Sequence, residues 1–202
     1  MKNSEQKILL LGEIPDRLLA FFKRHSFAVE VQTKPIDSNS ISPDNFAFVI
    51  SYRYRHILTE KIIRLFPNKI INLHISLLPW NRGADPNIWS FLEDTPKGIS
   101  IHYIDKGIDT GDILVQKEFI FDNPATTLAT SYDYLNTAII DLLMDTWLNI
   151  YNRDIQPLRQ IPGTGSYHVT KDKTKYGHLW SKKGWATPVT ELIGKANHPP
   201  PA

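Results

Sequence analysis

The chain has 202 residues, no cysteine, and a formal net charge of +2 with 22% charged residues of both signs. This length predicts one ordinary domain, or one domain with a small appendage, and is sufficient for a sizeable hydrophobic core. The near-balanced charge argues against a nucleic-acid partner, no apolar run is long enough to span a membrane, and the missing cysteines exclude disulfide and thiolate chemistry.

The first part of the chain alternates apolar runs with helical patterns. Lys7–Leu11 is a continuous apolar run that predicts a buried strand, and Pro15 suits the first turn of a helix. Two more strands are predicted over 28–33 and 46–51, joined by a polar loop that contains prolines. Gly12 stands alone after the first strand, so the glycine patterns typical of nicotinamide, flavin and ATP sites are missing there.

An aromatic and basic cluster, Ser51-Tyr52-Arg53-Tyr54-Arg55-His56, follows the third strand. Its rings are able to stack on a nucleotide base, and its guanidinium groups are able to face a diphosphate. The alternative is a solvated loop without a ligand, and the residues alone favour neither interpretation. Thr59 then has the right chemistry to cap a helix that ends before Pro67.

The next strand carries two polar side chains that point the same way. Lys69–Leu73 is apolar and rich in β-branched residues, which predicts a buried strand. Asn72 and His74 are two residues apart, so extended backbone places them on one side at the carboxyl end of this strand. An amide in a buried strand costs free energy unless it is paired, so Asn72 indicates a function.

A second strand brings further polar groups towards the same edge. Ile99–Tyr103 alternates as a strand does and includes His102, and a glycine-bearing turn with Asp109 and Asp112 follows. Open α/β sheets bind ligands at the carboxyl ends of their strands, so these groups are expected to meet there. Taken singly, a buried histidine is more often a satisfied core group than a catalyst, and aspartates are common in turns; we assign Asp112 that structural role.

The remaining elements complete an α/β pattern. A helix is predicted from Pro86, a strand over 114–121 and a long amphipathic helix over 128–151. Alternating strands and helices predict a mostly parallel, Rossmann-like sheet with helices on both faces. We place the catalytic domain at residues 1–153 and a short C-terminal extension at 154–202, which packs on the domain or on a second subunit.

Several spaced motifs resemble the 10-formyltetrahydrofolate-dependent formyltransferases. They are Asn-x-His-x-Ser-Leu-Leu-Pro at 72–79, Arg-Gly at 82–83, and a strand with His102 followed seven residues later by Asp109 within Asp-Thr-Gly-Asp. The motifs occur in the family's order and cover the middle of the chain. The resemblance implies a formyltransferase-type sheet and 10-formyltetrahydrofolate as the formyl donor.

The same resemblance assigns a catalytic trio to Asn72, His74 and Asp109. Formyl transfer to nitrogen needs a neutral amine, removal of its proton, and stabilisation of the negative charge on the formyl oxygen. In this interpretation His74 is the base, Asn72 donates its amide hydrogens to that oxygen, and Asp109 supports His74. The sequence leaves open whether the proton passes directly to His74 or through a bound water.

The resemblance implies one set of binding residues, for the folate, and the carboxyl edge of the predicted sheet offers a second set, for the acceptor. An apolar wall with exposed loop backbone suits a flat pterin ring. The residues expected to bind the folate are Ser76, Leu77, Leu78, Pro79, Tyr103, Ile104, Asp105, Gly107 and Gly111. The residues expected to bind the acceptor are Arg82, Trp89, Tyr52, Tyr54 and His102. For Arg82 two roles stay open, ordering the site or facing a substrate phosphate.

The acceptor follows from differences within the family. The chain is too short to contain the RNA-binding domain of methionyl-tRNA formyltransferases, and Leu11–Pro15 lacks the glycine-rich phosphate loop of glycinamide ribonucleotide formyltransferases. The Arg-Gly-Ala-Asp-Pro-Asn-Ile-Trp run at 82–89 and Tyr-His-x-x-Lys-Asp at 167–172 resemble sugar N-formyltransferases. These act on UDP- or dTDP-linked amino sugars, and among them the compact chain is similar to those of the pseudaminic-acid type.

Other expectations concern assembly, location and competing functions. We expect a homodimer anchored by Trp180 and Trp185, and a cytoplasmic protein, because Met1–Gln6 is too polar for a signal peptide. Near alternatives are a glycinamide ribonucleotide formyltransferase and a folate-dependent deformylase. A metal-dependent hydrolase that uses the same histidines and carboxylate, and a non-catalytic ligand-binding module, are alternatives of another class. The favoured interpretation includes no metal, no nucleic acid and no membrane.

Overall fold

The computed structural model describes residues 7–197, so the expectation for Met1–Gln6 lies outside the described residues. Two compact units alternate along the chain. The first comprises the chain up to His74, Ile101–Leu114 and Ile140–Arg159; the second comprises Ile75–Ser100, Val115–Ile139 and the chain from Gln160 onward. Each unit has its own cluster of buried apolar side chains.

The main sheet has six strands and is mostly parallel, as the sequence predicts. The eight strands of the structure are β1 (Lys7–Gly12), β2 (Val29–Gln32), β3 (Phe46–Tyr52), β4 (Ile70–His74), β5 (Arg82–Gly83), β6 (Lys97–Tyr103), β7 (Ile113–Phe119) and β8 (Tyr167–His168). The order in the main sheet is β2-β1-β3-β4-β6-β7, and β5 pairs with β8 in a separate small sheet. β1 is parallel to β2 and β3, and β3 is parallel to β4. Continuous buried runs are typical of such doubly covered strands.

Within the first unit, helices cover both faces of the sheet. They are α1 (Asp16–Arg24), α2 (Glu60–Leu65) and the second half of α4 (Leu128–Asn152). On one face, Leu9 and Leu11 of β1 cluster with Ile62 of α2. On the other face, the Trp147 ring of α4 packs edge-on against Phe48 of β3 and Phe22 of α1, with ring centroids 5.3 and 5.1 Å apart. Alternate strand residues therefore supply two separate cores.

The second unit is built around α3 (Pro86–Leu92) and the C-terminal extension. Apolar residues of α3 cluster with Leu128, Tyr176, Val189 and Leu192. Backbone hydrogen bonds tie the extension to this unit, from Leu128 N to Thr187 O at 3.0 Å and from Gly194 N to Phe91 O at 3.0 Å. The extension forms three short 3₁₀ helices: Asp172–Leu179, Gly184–Ala186 and Val189–Glu191.

The predicted strands and helices agree with the structure apart from small shifts at their ends. Thr59 caps α2 as expected, because its side chain accepts a hydrogen bond from Ile62 N at 3.5 Å. β5, β8 and the 3₁₀ helices were not predicted, since elements of this length show no readable periodicity. The division of the chain at residue 153 stays a prediction. Among residues 7–197, no helix is long and apolar enough to cross a membrane.

Candidate active site

Asn72 and His74 lie at the carboxyl end of β4, whose neighbours in the sheet are β3 and β6. Their side chains share one side of the strand because they are two residues apart. Asn72 is partly buried, and His74 is buried with 6% of its surface exposed. The structure therefore places the amide and the imidazole side by side at this strand end, as the sequence predicts.

Asp109 joins these two side chains from the loop that follows β6. Its Oδ1 accepts a hydrogen bond from Asn72 Nδ2 at 3.3 Å. Its Oδ2 lies 3.6 Å from His74 Nδ1, within ion-pair range if the imidazole is protonated. Asp109 itself has a φ of 53°, in the left-handed region that aspartate and asparagine tolerate better than most residues. One carboxylate thus contacts both of the other groups.

His102, on β6, completes a four-residue cluster. Its Nδ1 lies 2.8 Å from the Tyr103 carbonyl oxygen, and since a carbonyl only accepts, Nδ1 is the protonated nitrogen. Its Nε2 lies 3.4 Å from Asn72 Nδ2 and 3.4 Å from Asp109 Oδ1. A neutral His102 therefore accepts an amide hydrogen from Asn72, whereas a charged one donates to Asp109. The ring is 1% exposed, so its contacts are with the cluster.

The loop that carries Asp109 is held tightly against the end of β6. Tyr103 N donates to Asp112 O at 2.9 Å, and a Cβ on Gly111 would come within 1.8 Å of Tyr103 O, so only glycine fits there. Burial raises the pKa of the Tyr103 hydroxyl; the charge of Asp112 adds to this rise and that of Arg153 opposes it. The predicted folate-binding residues Tyr103, Ile104, Asp105, Gly107 and Gly111 all belong to this loop or to the strand end before it.

The side chain of Asp105 forms hydrogen bonds within this loop. Its Oδ1 accepts hydrogen bonds from Gly107 N at 3.0 Å and from Thr110 Oγ1 at 2.6 Å. Thr110 directly follows Asp109, so these two bonds set the path of the backbone on which Asp109 is mounted. The sequence predicts folate binding for Asp105, and that role stays a prediction beside the structural one.

Loss of the Asp105 side chain is expected to lower activity through the loop. In Asp105→Ala the Asp109 carboxylate loses its fixed position, and misplacement of a catalytic group by about 1 Å typically costs on the order of 100-fold in rate. Steady-state kinetics of Asp105→Ala and Thr110→Val would measure this. Thr110→Val removes only one of the two bonds and is expected to lose less; an unchanged rate in Asp105→Ala would contradict the role.

Most side chains of the aromatic and basic cluster after β3 are buried or bonded to other residues of the first unit. Tyr52 is buried. The Tyr54 hydroxyl donates to Lys34 O at 2.8 Å and accepts from Ile36 N at 3.2 Å; burial raises its pKa and the Ile36 bond opposes this. Arg53 and Arg55 lie 2.9 and 3.4 Å from the Glu13 carboxylate. Acceptor binding by Tyr52 and Tyr54 stays a prediction.

The second unit contains a tight turn that begins two residues after β4 ends and comprises Ser76, Leu77, Leu78 and Pro79. Ser76 Oγ donates to Trp80 O at 2.7 Å, and Trp80 N donates to Leu77 O at 3.1 Å. Leu78 is 3% exposed and Ser76 is 1% exposed. The turn is thus rigid and internally bonded, which suits a preformed binding wall.

Arg82 and Trp89, the other predicted acceptor-binding residues, lie close to the C-terminal extension. Arg82 is in β5, which pairs with β8, and its guanidinium donates to Thr164 O. The Trp89 ring is 4% exposed and stacks on His168, with ring centroids 3.7 Å apart and planes 5° apart. Acceptor binding by Arg82 and Trp89 stays a prediction. The contact with His168 has no signal in the sequence, because the two residues are 79 positions apart.

Glu93 follows α3 and completes this arrangement. Glu93 Oε1 lies 3.2 Å from His168 Nε2, an ion-pair distance, although the N–H direction is poor for a hydrogen bond. Burial acts to raise the pKa of Glu93, but the neighbouring His168 imidazole and, to a smaller extent, the Ser166 hydroxyl outweigh it. The net effect holds the pKa below its ordinary value of 4.5.

This depressed pKa predicts a pH-dependent contribution to stability. The folded state favours ionised Glu93, so the contribution is present above pH 4.5 and is lost as the pH falls through the lower folded-state pKa. Denaturant unfolding of wild type and Glu93→Gln is expected to show a difference in free energy that shrinks below that pH. Glu191→Gln, which breaks an exposed pair with Lys183, should show little difference at any pH. A wild-type to Glu93→Gln difference independent of pH would contradict the assignment.

Among residues 7–197, no group of three or more histidine, aspartate or glutamate side chains has an arrangement that could hold a metal ion. The cluster at the ends of β4 and β6 instead combines an amide donor, imidazoles and one carboxylate. These are the groups of general acid–base chemistry with stabilisation of a developing negative charge. Such a cluster at the carboxyl ends of the strands of an α/β sheet is typical of an enzyme of this fold class.

The chain belongs to the formyl transferase family, whose profile matches residues 14–143. It is similar to the crystal structure of the formyltransferase PseJ from Anoxybacillus kamchatkensis in complex with UDP-4,6-dideoxy-4-formamido-L-AltNAc and tetrahydrofolate. The two are 48% identical, the match covers 94% of this chain and 99% of the other, and the TM-score is 0.89.

More distant relatives include enzymes with other acceptors. The methionyl-tRNA formyltransferase of Clostridium novyi is 34% identical over 78% of this chain, which spans 50% of that relative's length. The chain thus spans about half the length of these curated relatives. The N-formyltransferase from Helicobacter canadensis, in complex with folinic acid and dTDP-3-aminofucose, is 22% identical over 83% of this chain and 72% of the other, with a TM-score of 0.69. At that identity the likeness shows a shared fold.

Proposed function

We propose that this chain transfers a formyl group from 10-formyltetrahydrofolate to the amino group of a nucleotide-linked amino sugar. The observation that carries the proposal is the convergence of Asn72 and His74 on Asp109, which lies within hydrogen-bonding range of the first and ion-pair range of the second. They come from a strand end and a separate loop, so nothing in the local sequence alone requires them to meet.

The residues present fit such a formyl donor. When bound, the donor supplies a carbonyl carbon that an amine can attack, with tetrahydrofolate leaving as the new carbon–nitrogen bond forms. The chemistry of the cluster matches the needs of that exchange, since it offers an amide donor for oxygen and a proton acceptor supported by a carboxylate. Sites of this kind lie at the carboxyl ends of strands in open α/β sheets.

His74 accepts the proton that the amine loses, either directly or through one bound water, and returns it to the tetrahydrofolate nitrogen that leaves as its bond to the formyl carbon breaks. An imidazole can do this near neutral pH. Asp109 Oδ2, 3.6 Å from His74 Nδ1, orients the ring and stabilises its protonated form. His74 is buried, so the ion pair forms in a low-dielectric setting where the carboxylate matters more than it would in water.

Asn72 stabilises the negative charge that develops on the formyl oxygen. Its Nδ2 makes two long contacts, 3.3 Å to Asp109 and 3.4 Å to His102, and long bonds of this kind are cheaply exchanged for a shorter one to a charged oxygen. Removal of one such donor typically costs about 3 kcal/mol in the barrier. His102 acts through Asn72 and Asp109, whose orientation it fixes, and direct contact with the acceptor is a secondary role.

The binding roles are part of the proposal. In the first unit, Tyr103, Ile104, Asp105, Gly107 and Gly111 bind the folate through the loop after β6, and Tyr52 and Tyr54 contribute to acceptor binding. In the second unit, the turn Ser76–Pro79 binds the folate, and Arg82 and Trp89 contribute to acceptor binding. Since Trp89 stacks on His168, its contribution is to shape the wall of the acceptor site.

The choice of a sugar nucleotide rests on similarity across the whole chain. The formyltransferase PseJ, bound to a UDP-linked formamido sugar and tetrahydrofolate, aligns over 99% of its own length. The methionyl-tRNA formyltransferases are matched over only about half of theirs. A UDP-linked 4-amino-4,6-dideoxy sugar is therefore the acceptor we favour, with the dTDP-linked equivalent as the nearest variant.

The proposal includes a cytoplasmic homodimer. Trp185 is 51% exposed and packs edge-on against Tyr132 within the extension's own unit, so one side of its ring is open to a second copy. Trp180 is partly buried against the α3 cluster and supports the same segment. Light scattering of the purified chain is expected to give twice the mass of the monomer; a monomeric mass would remove this part of the proposal.

A mass-spectrometric screen of nucleotide amino sugars with 10-formyltetrahydrofolate tests the function. We expect a UDP-linked 4-amino sugar to gain one formyl group. Formylation of glycinamide ribonucleotide instead would contradict the sugar acceptor and indicate a glycinamide ribonucleotide formyltransferase. Release of formate without any acceptor would indicate a deformylase, and loss of activity on chelation would favour a metal-dependent hydrolase.

A further inference from the structure

Ser100 is a hydroxyl-bearing residue in the middle of a buried apolar strand. It lies in β6 between Ile99 and Ile101, and all three residues are 0% exposed. A buried hydroxyl costs free energy unless it is hydrogen-bonded, so a strand interior normally holds an apolar residue at such a position. Its presence here calls for a reason.

The Ser100 hydroxyl makes every hydrogen bond it can make. It donates to Ser76 O at 2.7 Å, and it accepts from Leu78 N at 3.0 Å and from Gln116 Nε2 at 2.8 Å. A hydroxyl has one donor and two acceptor sites, and all three are used. Two of the partners are backbone groups of the turn Ser76–Pro79.

Gln116, on β7, completes the arrangement. Its Nε2 carries two hydrogens, one bonded to Ser100 Oγ and the other to Leu78 O at 2.8 Å. Both backbone polar groups of Leu78 are therefore bonded to side chains, the N–H to Ser100 and the carbonyl to Gln116.

We infer that Ser100 and Gln116 are positioning residues that set the backbone of the folate-binding turn. The inference rests on the proposed function, which assigns Ser76–Pro79 to the folate. A turn fixed before binding loses little conformational entropy when the ligand arrives, so its rigidity contributes to affinity. Neither residue takes part in proton transfer, so their loss acts on donor binding and leaves acceptor binding nearly unchanged.

Ser100→Ala, compared with Ser90→Ala, tests the inference. Ser90 is a matched control, since it is 2% exposed, lies in the same unit, and its hydroxyl donates to Asn87 O of its own helix at 2.9 Å instead of to the turn. We expect Ser100→Ala to raise the KM for 10-formyltetrahydrofolate roughly tenfold, the equivalent of losing about one good hydrogen bond. The acceptor KM and kcat are expected to change less than twofold.

Binding of the unreactive analogue 5-formyltetrahydrofolate, measured by calorimetry, gives a readout apart from catalysis. Its Kd is expected to rise in Ser100→Ala, to return towards the wild-type value in Ser100→Thr, and to stay unchanged in Ser90→Ala. Gln116→Glu keeps the size of the side chain but removes both donated hydrogens, so its Kd for the analogue should rise as in Ser100→Ala. It therefore tests the inference independently if Ser100→Ala folds poorly.

Equal donor affinities in Ser100→Ala, Gln116→Glu and Ser90→Ala would overturn the inference, as would a matching rise in the acceptor KM. A wild-type chain that neither binds 5-formyltetrahydrofolate nor transfers a formyl group would contradict the proposed function itself. The two failures are therefore distinguishable in one set of measurements.

Discussion

His74→Ala is expected to lower kcat for formyl transfer on the order of 10³-fold. A general base typically contributes 10²- to 10⁴-fold, and His74 also carries the charge that Asp109 stabilises. The acceptor and donor KM values are expected to change far less, because the side chain acts mainly after both substrates are bound. Steady-state and single-turnover kinetics would measure the effect, with folding checked by the unfolding midpoint.

His178→Ala is the matched control for this prediction, since His178 is an exposed histidine in the C-terminal extension. It should retain wild-type turnover. Added imidazole is expected to restore part of the activity of His74→Ala if the missing group is a base. Full turnover by His74→Ala would remove the catalytic assignment.

Asp109→Asn is expected to lose activity on a similar scale, on the order of 10³-fold, with little change in stability. Asparagine has the same size and also tolerates the left-handed φ of 53°, so this substitution removes the charge without disturbing the loop. Without the carboxylate, protonated His74 loses the partner 3.6 Å away, and the amide of Asn72 loses an anionic acceptor. In catalytic triads an equivalent change lowers kcat about 10⁴-fold.

Asp112→Asn is the control for Asp109→Asn. Asp112 lies three residues further along the same loop with an exposed side chain, and its backbone carbonyl, which accepts from Tyr103 N, is unaffected by the substitution. Its kinetics should match wild type. If both variants lost activity equally, the effect would belong to the loop as a whole and the role of Asp109 would be contradicted.

Hydrophobic patterning predicted most of the first unit. The runs at 7–12 and 46–52 are buried throughout or nearly so, as strands with both faces covered must be, and Thr59 provides the expected cap. Two-residue spacing placed Asn72 and His74 on one side of β4. The motif resemblance, not spacing, indicated that Asp109 would reach them, because the nine residues between β6 and β7 have many possible paths.

The sequence was least informative where short contacts replace periodic structure. β5 and β8 have two residues each, and the extension is held by single backbone bonds and by the stacking of His168 on Trp89. No period in the sequence indicates such pairings. The aromatic and basic cluster after β3 could not be interpreted either, since its bonds go to Lys34, Ile36 and Glu13, which are distant in sequence.

Ser100 is a polar residue whose position in the sequence already indicates a structural role. A polar residue between Ile99 and Ile101 breaks the apolar run of a strand buried on both faces, just as Asn72 breaks the run of β4. The same reasoning that singled out Asn72 applies to Ser100. Gln116 carries no comparable signal, because β7 becomes more exposed along its length and a polar residue there is ordinary.

The most direct test of formyl transfer at this cluster follows an isotope-labelled formyl carbon. Wild type and His74→Ala would each be incubated with labelled 10-formyltetrahydrofolate and a UDP-linked 4-amino sugar, and the products read by NMR. The account predicts that wild type places the label in the sugar formamide and that His74→Ala places almost none there in the same time. Label recovered only as formate, or equal transfer by the two proteins, would contradict it.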